Sequence, residues 1–112
     1  MNNPEFDPVI TVRIAKEKVF FGPGVMLILK ALKETGSVKE ASRLSGISYS
    51  KAWKIINMAE EQLGYAIVER QQGGKCGGGC VVTNKGKLLM KQYRVAEKQI
   101  QTYAKQVFRE IW

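Results

Sequence analysis

Ser50, Lys51, Lys54 and Asn57, with Ser48 just ahead of them, fall where helical spacing places them on one solvent-facing side. Serine hydroxyls hydrogen-bond to phosphates or bases, lysine donates to guanine acceptors, and asparagine can pair with adenine. This is chemistry for reading a nucleic acid rather than for breaking bonds. The same residues also suit the solvated face of an ordinary core helix, so the neighbouring elements must decide. Catalysis is not expected: the sequence holds no histidine, the commonest general base and metal ligand, and shows no nucleophile–base pair or carboxylate cluster. No cofactor is expected either.

A second group of reactive side chains is the pair Cys76 and Cys80, spaced C-x3-C within a glycine-rich stretch. Two thiolates can join in a reversible disulfide or chelate a soft metal, but cannot complete a tetrahedral site unaided. Free thiols in a reducing compartment are the plainer reading, and no metal site is assigned. Tyr49 and Trp53, four residues apart, could stack on bases. Packing under the following hairpin or against the preceding helix accounts for them more simply.

The elements that must position these groups follow from apolar periodicity and punctuation. Val9–Ala15 alternates, with Ile10, Val12 and Ile14 on one side, and Lys18–Phe21 is a second β-prone run. Together they predict a hairpin over 9–21, turning near Lys16-Glu17, which is not a favoured tight-turn pair. Val25, Ile28, Leu29 and Leu32 then recur at helical spacing, and Gly36 stops that helix. Ser37-Val38-Lys39-Glu40 fits a capping box opening a short helix with Val38, Ala41 and Leu44 inward. Ser48 caps the next helix, from about Tyr49 to Leu63, with Ala52, Ile55, Ile56, Ala59 and Leu63 buried. Two helices joined by a short turn at Gly46 make a helix-turn-helix, whose second helix offers its leading side chains to the major groove. Ser37, Ser48, Tyr49, Ser50, Lys51, Lys54 and Asn57 are its candidate DNA contacts.

Strand candidates Ala66–Arg70 and Cys80–Val82 flank a Gly-rich tip with one base and no acids. As a wing, this hairpin would bring main-chain N–H groups at Gly73 and Gly74, with Arg70 and Lys75, onto a phosphate backbone. Thr83 or Asn84 caps a last helix reaching almost to Trp112. Leu89, Tyr93, Ala96, Ile100, Tyr103 and Val107 recur along it at spacings of 4, 3, 4, 3 and 4, a heptad seam. About 27 helical residues would span roughly 40 Å, longer than so small a core. The seam therefore predicts a homodimer, although a single chain could bury it against the hairpin. Two recognition helices related by a two-fold axis would read a pseudo-palindrome.

The totals agree. The chain carries 18 Lys and Arg against 10 Asp and Glu, a formal charge of +8. The excess is concentrated in residues 71–112, with 8 bases and 2 acids, against 10 and 8 in residues 1–70. Such a distribution attracts polyanions. No apolar run reaches the roughly 18 residues of a membrane span, and Met1–Glu5 has no signal-peptide character, so a cytoplasmic location without membrane contact is expected.

Ser48-Tyr49 with Ala52-Trp53, then Val68-Glu69-Arg70, Gly73-Gly74, Gly77-Gly78-Gly79 and Val82-Thr83 with Gly86 make the sequence resemble the N-terminal DNA-binding domain of ModE-type molybdate-responsive regulators. More distantly it is similar to the LysR-type winged helix-turn-helix. The resemblance covers roughly Phe21 to Tyr93. It implies a dimeric transcription regulator, wing contacts from the Gly-rich segment, and dimerisation through the N-terminal hairpin and the long helix. Molybdate-binding domains follow that helix in the family, and the sequence stops at Trp112, so molybdate sensing is not expected here unless a separate protein supplies it. Cysteines stand at wing positions where the family pattern has small or polar residues.

The expected fold is mainly α: a winged helix-turn-helix (24–83) after an N-terminal β-hairpin (9–21) and before a long dimerisation helix (84–112), in one domain. The expected function is sequence-specific DNA binding at a pseudo-palindromic operator. The alternatives are a metal- or redox-responsive DNA-binding protein sensing through Cys76 and Cys80, and a protein-interaction module.

Overall fold

The computed structural model describes residues 6–71 and 79–112. In chain order the elements are β1 (Ile14–Ala15), β2 (Val19–Phe21), α1 (Pro23–Thr35), α2 (Val38–Ser45), α3 (Tyr49–Leu63), β3 (Val68–Arg70), β4 (Cys80–Val82) and α4 (Asn84–Ile111). Each pair of strands forms its own two-stranded antiparallel sheet, β1 with β2 and β3 with β4. The fold is the expected mainly α winged helix-turn-helix.

Local signals set most helix boundaries. Pro23 opens α1, where its missing N–H costs nothing. The side chains of Ser37, Ser48 and Thr83 accept hydrogen bonds from the N–H groups of Glu40, Lys51 and Gly86, capping α2, α3 and α4. The box at α2 closes on one side only. The Glu40 carboxylate turns away to Arg43 at 2.7 Å, and the Ser37 N–H donates to Thr35 Oγ1 instead. Gly46, at φ 72°, closes α2 in the left-handed region and starts the three-residue turn into α3.

The core gathers Phe20 and Phe21, Val25, Ile28, Leu29 and Leu32 of α1, and Ala52, Ile56 and Ala59 of α3. Ala31, Val38, Ala41, Ile67, Val68, Val82, Leu89, Met90 and Tyr93 complete it. The Phe21 and Tyr93 rings meet edge to face with centroids 5.2 Å apart. Leu44 corrects the expected inward stripe of α2, being 55% exposed while Ser42 is buried. At about 100° per residue, Val38, Ala41 and Ser42 centre on the side packed against α1, and Leu44 lies roughly 110° away. The Ser42 hydroxyl is satisfied by donating to the Lys39 carbonyl at 2.7 Å.

The N-terminal strand is shorter than the alternation predicts. Only Ile14 and Ala15 pair with β2. The preceding residues are held by α4: Tyr93 Oη donates to the Val12 carbonyl at 2.6 Å, and Gln101 Nε2 to that of Pro8 at 3.1 Å. Burial raises the Tyr93 phenol pKa, nearby Glu97 adds to the rise and Arg13 opposes it, so the donor stays protonated well above neutrality.

Two side chains of α3 pin the hairpins to it. Gln62 Oε1 accepts from the Glu17 and Lys18 N–H groups at 2.9 and 3.1 Å, which explains how Lys16-Glu17 can turn without a favoured turn pair. Glu60 Oε2 accepts from Ile67 and Val68 at 2.8 and 3.1 Å, fixing the entry to β3. On the other side of that hairpin, α4 starts in contact with the backbone. A Cβ added at Gly86 would lie 2.7 Å from the Ile67 carbonyl oxygen and 2.9 Å from Val82 Cγ1. Gly86→Ala is therefore expected to lower the free energy of unfolding by about 1–3 kcal/mol through overpacking, despite alanine's better helix propensity. Urea unfolding checks this; an unchanged or raised midpoint would show that the contact can relax.

Candidate nucleic-acid interface

The second helix of the α2–turn–α3 unit carries the expected polar face. Ser50, Lys51, Lys54 and Asn57 are all exposed and occupy an arc of about 120° at helical spacing, opposite buried Ala52, Ile56 and Ala59. Ser48 is exposed at the tip, where its hydroxyl is already engaged in capping. Ser37 is likewise a cap, half-buried one helix earlier, so its hydroxyl first serves α2. Among the described residues neither Lys51 nor Lys54 has an ion-pair partner, the one salt bridge being Glu40–Arg43.

Tyr49 and Trp53 behave differently from each other. Tyr49 is 49% exposed; Trp53 packs partly buried against the core. Their rings meet edge to face at 6.4 Å. Arg70, the last residue of β3, stacks its guanidinium 4.7 Å from the centre of the Trp53 ring, so the root of the hairpin reaches the edge of the α3 polar face. β3 and β4 pair from Val68↔Val82 to Arg70↔Cys80, and Gln71 N–H donates to Gly79 O at 2.7 Å. Gly73, Gly74, Lys75 and Cys76, the expected wing contacts and one of the two thiols, lie outside the described residues. Cys80 is half-buried at the start of β4. Among the described residues no group of three or more potential ligands could hold a metal ion.

Residues 25–87, from α1 through the hairpin into α4, match the bacterial regulatory helix-turn-helix proteins of the lysR family. The chain belongs to that family. The resemblance to ModE-type regulators also holds. The DNA-binding transcriptional dual regulator ModE of Escherichia coli K12 is 35% identical over 85 residues, 76% of this chain and 32% of that protein. The molybdenum-pterin-binding protein MopB of Rhodobacter capsulatus is 37% identical over 70 residues, covering 62% and 26%. The chain thus spans about a third of the length of the ModE relatives. Among solved structures, Vibrio fischeri DarR in complex with DNA has the same fold, with a TM-score of 0.56 at 19% identity over 75% of this chain and 27% of that one.

Beyond the lysR-family match, α4 divides its expected seam in two. Leu89 and Tyr93 are buried in the chain's own core, which removes them from a surface open to a partner. Ala96, Ile100 and Tyr103 are exposed and Val107 is half-buried. The first turns of the helix cover the domain, and the remainder runs past it. Sequence reasoning missed two features here. One is the Trp53–Arg70 stack, which no spacing rule connects. The other is a basic stripe: Lys87, Lys91, Arg94, Lys98, Lys105 and Arg109 are all exposed and fall within about 60° of one another, opposite the seam. Its spacing of 4, 3, 4, 7 and 4 was open to the same count that found the seam. Among the described residues no helix is long and apolar enough to cross a membrane.

Proposed function

We propose that this chain is a sequence-specific DNA-binding regulator of transcription that acts as a homodimer, has no catalytic step, and works in the cytoplasm where its ligand is. In this reading α3 enters the major groove. Ser48, Tyr49, Ser50, Lys51, Lys54 and Asn57 face bases and phosphates, Ser37 approaches the backbone from α2, and Arg70 with the Gly73–Lys75 segment lies along the neighbouring strand. The observation that carries the proposal is the exposed polar arc of α3, whose two lysines have no ion-pair partner among the described residues, set directly behind a capped α2 and a three-residue turn. Positive charge on α4 adds long-range attraction to the polyanion.

Selection of binding duplexes from a random pool tests this. The expected product is a pseudo-palindrome whose half-sites are one helical turn, about 10–10.5 base pairs, apart or a multiple of it. Recovery of unrelated sequences would overturn the proposal in favour of a protein-interaction module that touches DNA only through its charge.

A further inference from the structure

We infer that Trp53 is a positioning residue for DNA binding: its ring holds the Arg70 guanidinium beside the polar face of α3, so that recognition helix and wing root meet the backbone as one unit. The inference rests on the DNA-binding reading above and adds a specific role for a residue with no polar contact of its own.

Arg70 stands where β3 ends, exposed, with its guanidinium 4.7 Å from the Trp53 ring centre. That distance is within cation–π range, and indole is the strongest aromatic partner for a cation. A guanidinium that meets a ring through its flat face keeps its in-plane N–H donors free, and that edge is the one that grips a phosphate. No carboxylate pairs with Arg70 among the described residues. Neighbouring Glu69 points to the opposite face of the strand. The stack therefore restricts a long side chain without neutralising it.

Trp53 is well placed to do so. At helical spacing it lies about 40° from Asn57 and 60° from Ser50, on the border between the buried and polar sides of α3. Tyr49 supports the ring edge to face from the leading end of the helix. The indole is not held for its hydrogen bond: Nε1 is buried without a partner among the described residues. Phenylalanine would pack there without stranding a donor. What the aromatic ring supplies is the face on which Arg70 rests.

The test is a double-mutant cycle of Trp53→Leu and Arg70→Gln, with Trp53→Phe as the conservative variant. It uses the full chain and the selected duplex at several salt concentrations. Arg70→Gln is expected to weaken binding about tenfold and flatten the salt dependence by about one ion. Trp53→Leu should lose three- to tenfold and flatten it similarly, the double variant should be little weaker than Arg70→Gln alone, and Trp53→Phe should keep most of the slope. Additive losses, or an unchanged slope in Trp53→Leu, would reduce Trp53 to packing and overturn the inference. A second measurement does not depend on folding of the Trp53 variants. In a Trp112→Phe background, the emission of Trp53 should change on Arg70→Gln, and no change would mean that the stack does not form in solution. Wild-type protein that binds no duplex, while its emission responds to Arg70→Gln, would defeat the DNA-binding reading and this inference with it. Binding without coupling would defeat the inference alone.

Discussion

Replacing Lys51 and Lys54 together by alanine should weaken binding to the selected duplex about a hundredfold and leave the unfolding midpoint nearly unchanged. Both side chains are exposed, and no ion pair among the described residues engages either one. Alanine is the better helix former, so α3 loses nothing in propensity. Each lysine that neutralises a phosphate releases counterions, and log K falls against log salt with a slope of about −0.9 per contact. Losing two such contacts should therefore flatten the slope by nearly two. If one lysine reads a guanine edge instead, its loss should cost about 1–3 kcal/mol on the selected duplex and much less on a scrambled one. Comparing the two duplexes across salt separates these roles. An unchanged affinity with folded protein would show that α3 does not face DNA, and the proposal would then have no contact surface.

The parts of this fold that were legible in the sequence are those set by neighbours in the chain. Ser48 and Thr83 cap because their own hydroxyls reach an N–H three residues on. The apolar repeat of α1 needs only the helical period, and the polar arc from Ser50 to Asn57 follows from the same period. What was not legible depends on residues far apart in sequence. Leu44 follows Val38 and Ala41 at intervals of three, but that spacing drifts about 60° per step, and with α2 resting on α1 through Val38, Ala41 and Ser42 the drift leaves Leu44 outside. Gln62 looks like one more polar residue near the end of α3, yet it is buried and supplies the acceptor for a turn about 45 residues earlier. Val9–Arg13 alternates like a strand but faces α4, where Tyr93 and Gln101 meet the carbonyls of Val12 and of Pro8 just before the segment, in place of a partner strand. Gly86 reads as a tolerated glycine in a first turn; its reason is the Ile67 carbonyl lying against it. At the candidate site the same division holds. The α3 face was visible as a pattern, whereas the seating of Arg70 on Trp53 required the hairpin to be folded back onto the helix.

The second large effect is expected at the far half of α4. Ile100→Glu combined with Tyr103→Glu should convert a dimer to a monomer without unfolding the domain, since these side chains are 42% and 66% exposed and lie beyond the buried Leu89 and Tyr93. The molecule measures 62 × 27 × 22 Å, and a 28-residue helix accounts for about 42 Å of length by itself. Exposed Ile100 and Tyr103 sit with Ala96 and half-buried Val107 along one seam, opposite the basic stripe. Burying an apolar side chain fully contributes about 1.5–3 kcal/mol, and a two-fold interface uses each position twice. Glutamates placed there would be desolvated near their own symmetry mates, which dimerisation cannot offset. The consequence for DNA follows from linkage. Two joined recognition helices engage two half-sites with an effective concentration in the millimolar range, a gain of about 10²–10⁴ over one. The monomeric variant should lose that factor on a duplex with both half-sites and almost nothing on a duplex with one. Sedimentation and binding to the two duplexes check both statements. A variant that stays dimeric would move the interface off this seam, and the N-terminal segment lying along α4 would be the next surface to test. A monomer that bound the two-site duplex undiminished would separate dimerisation from DNA reading, and each α3 would then act alone.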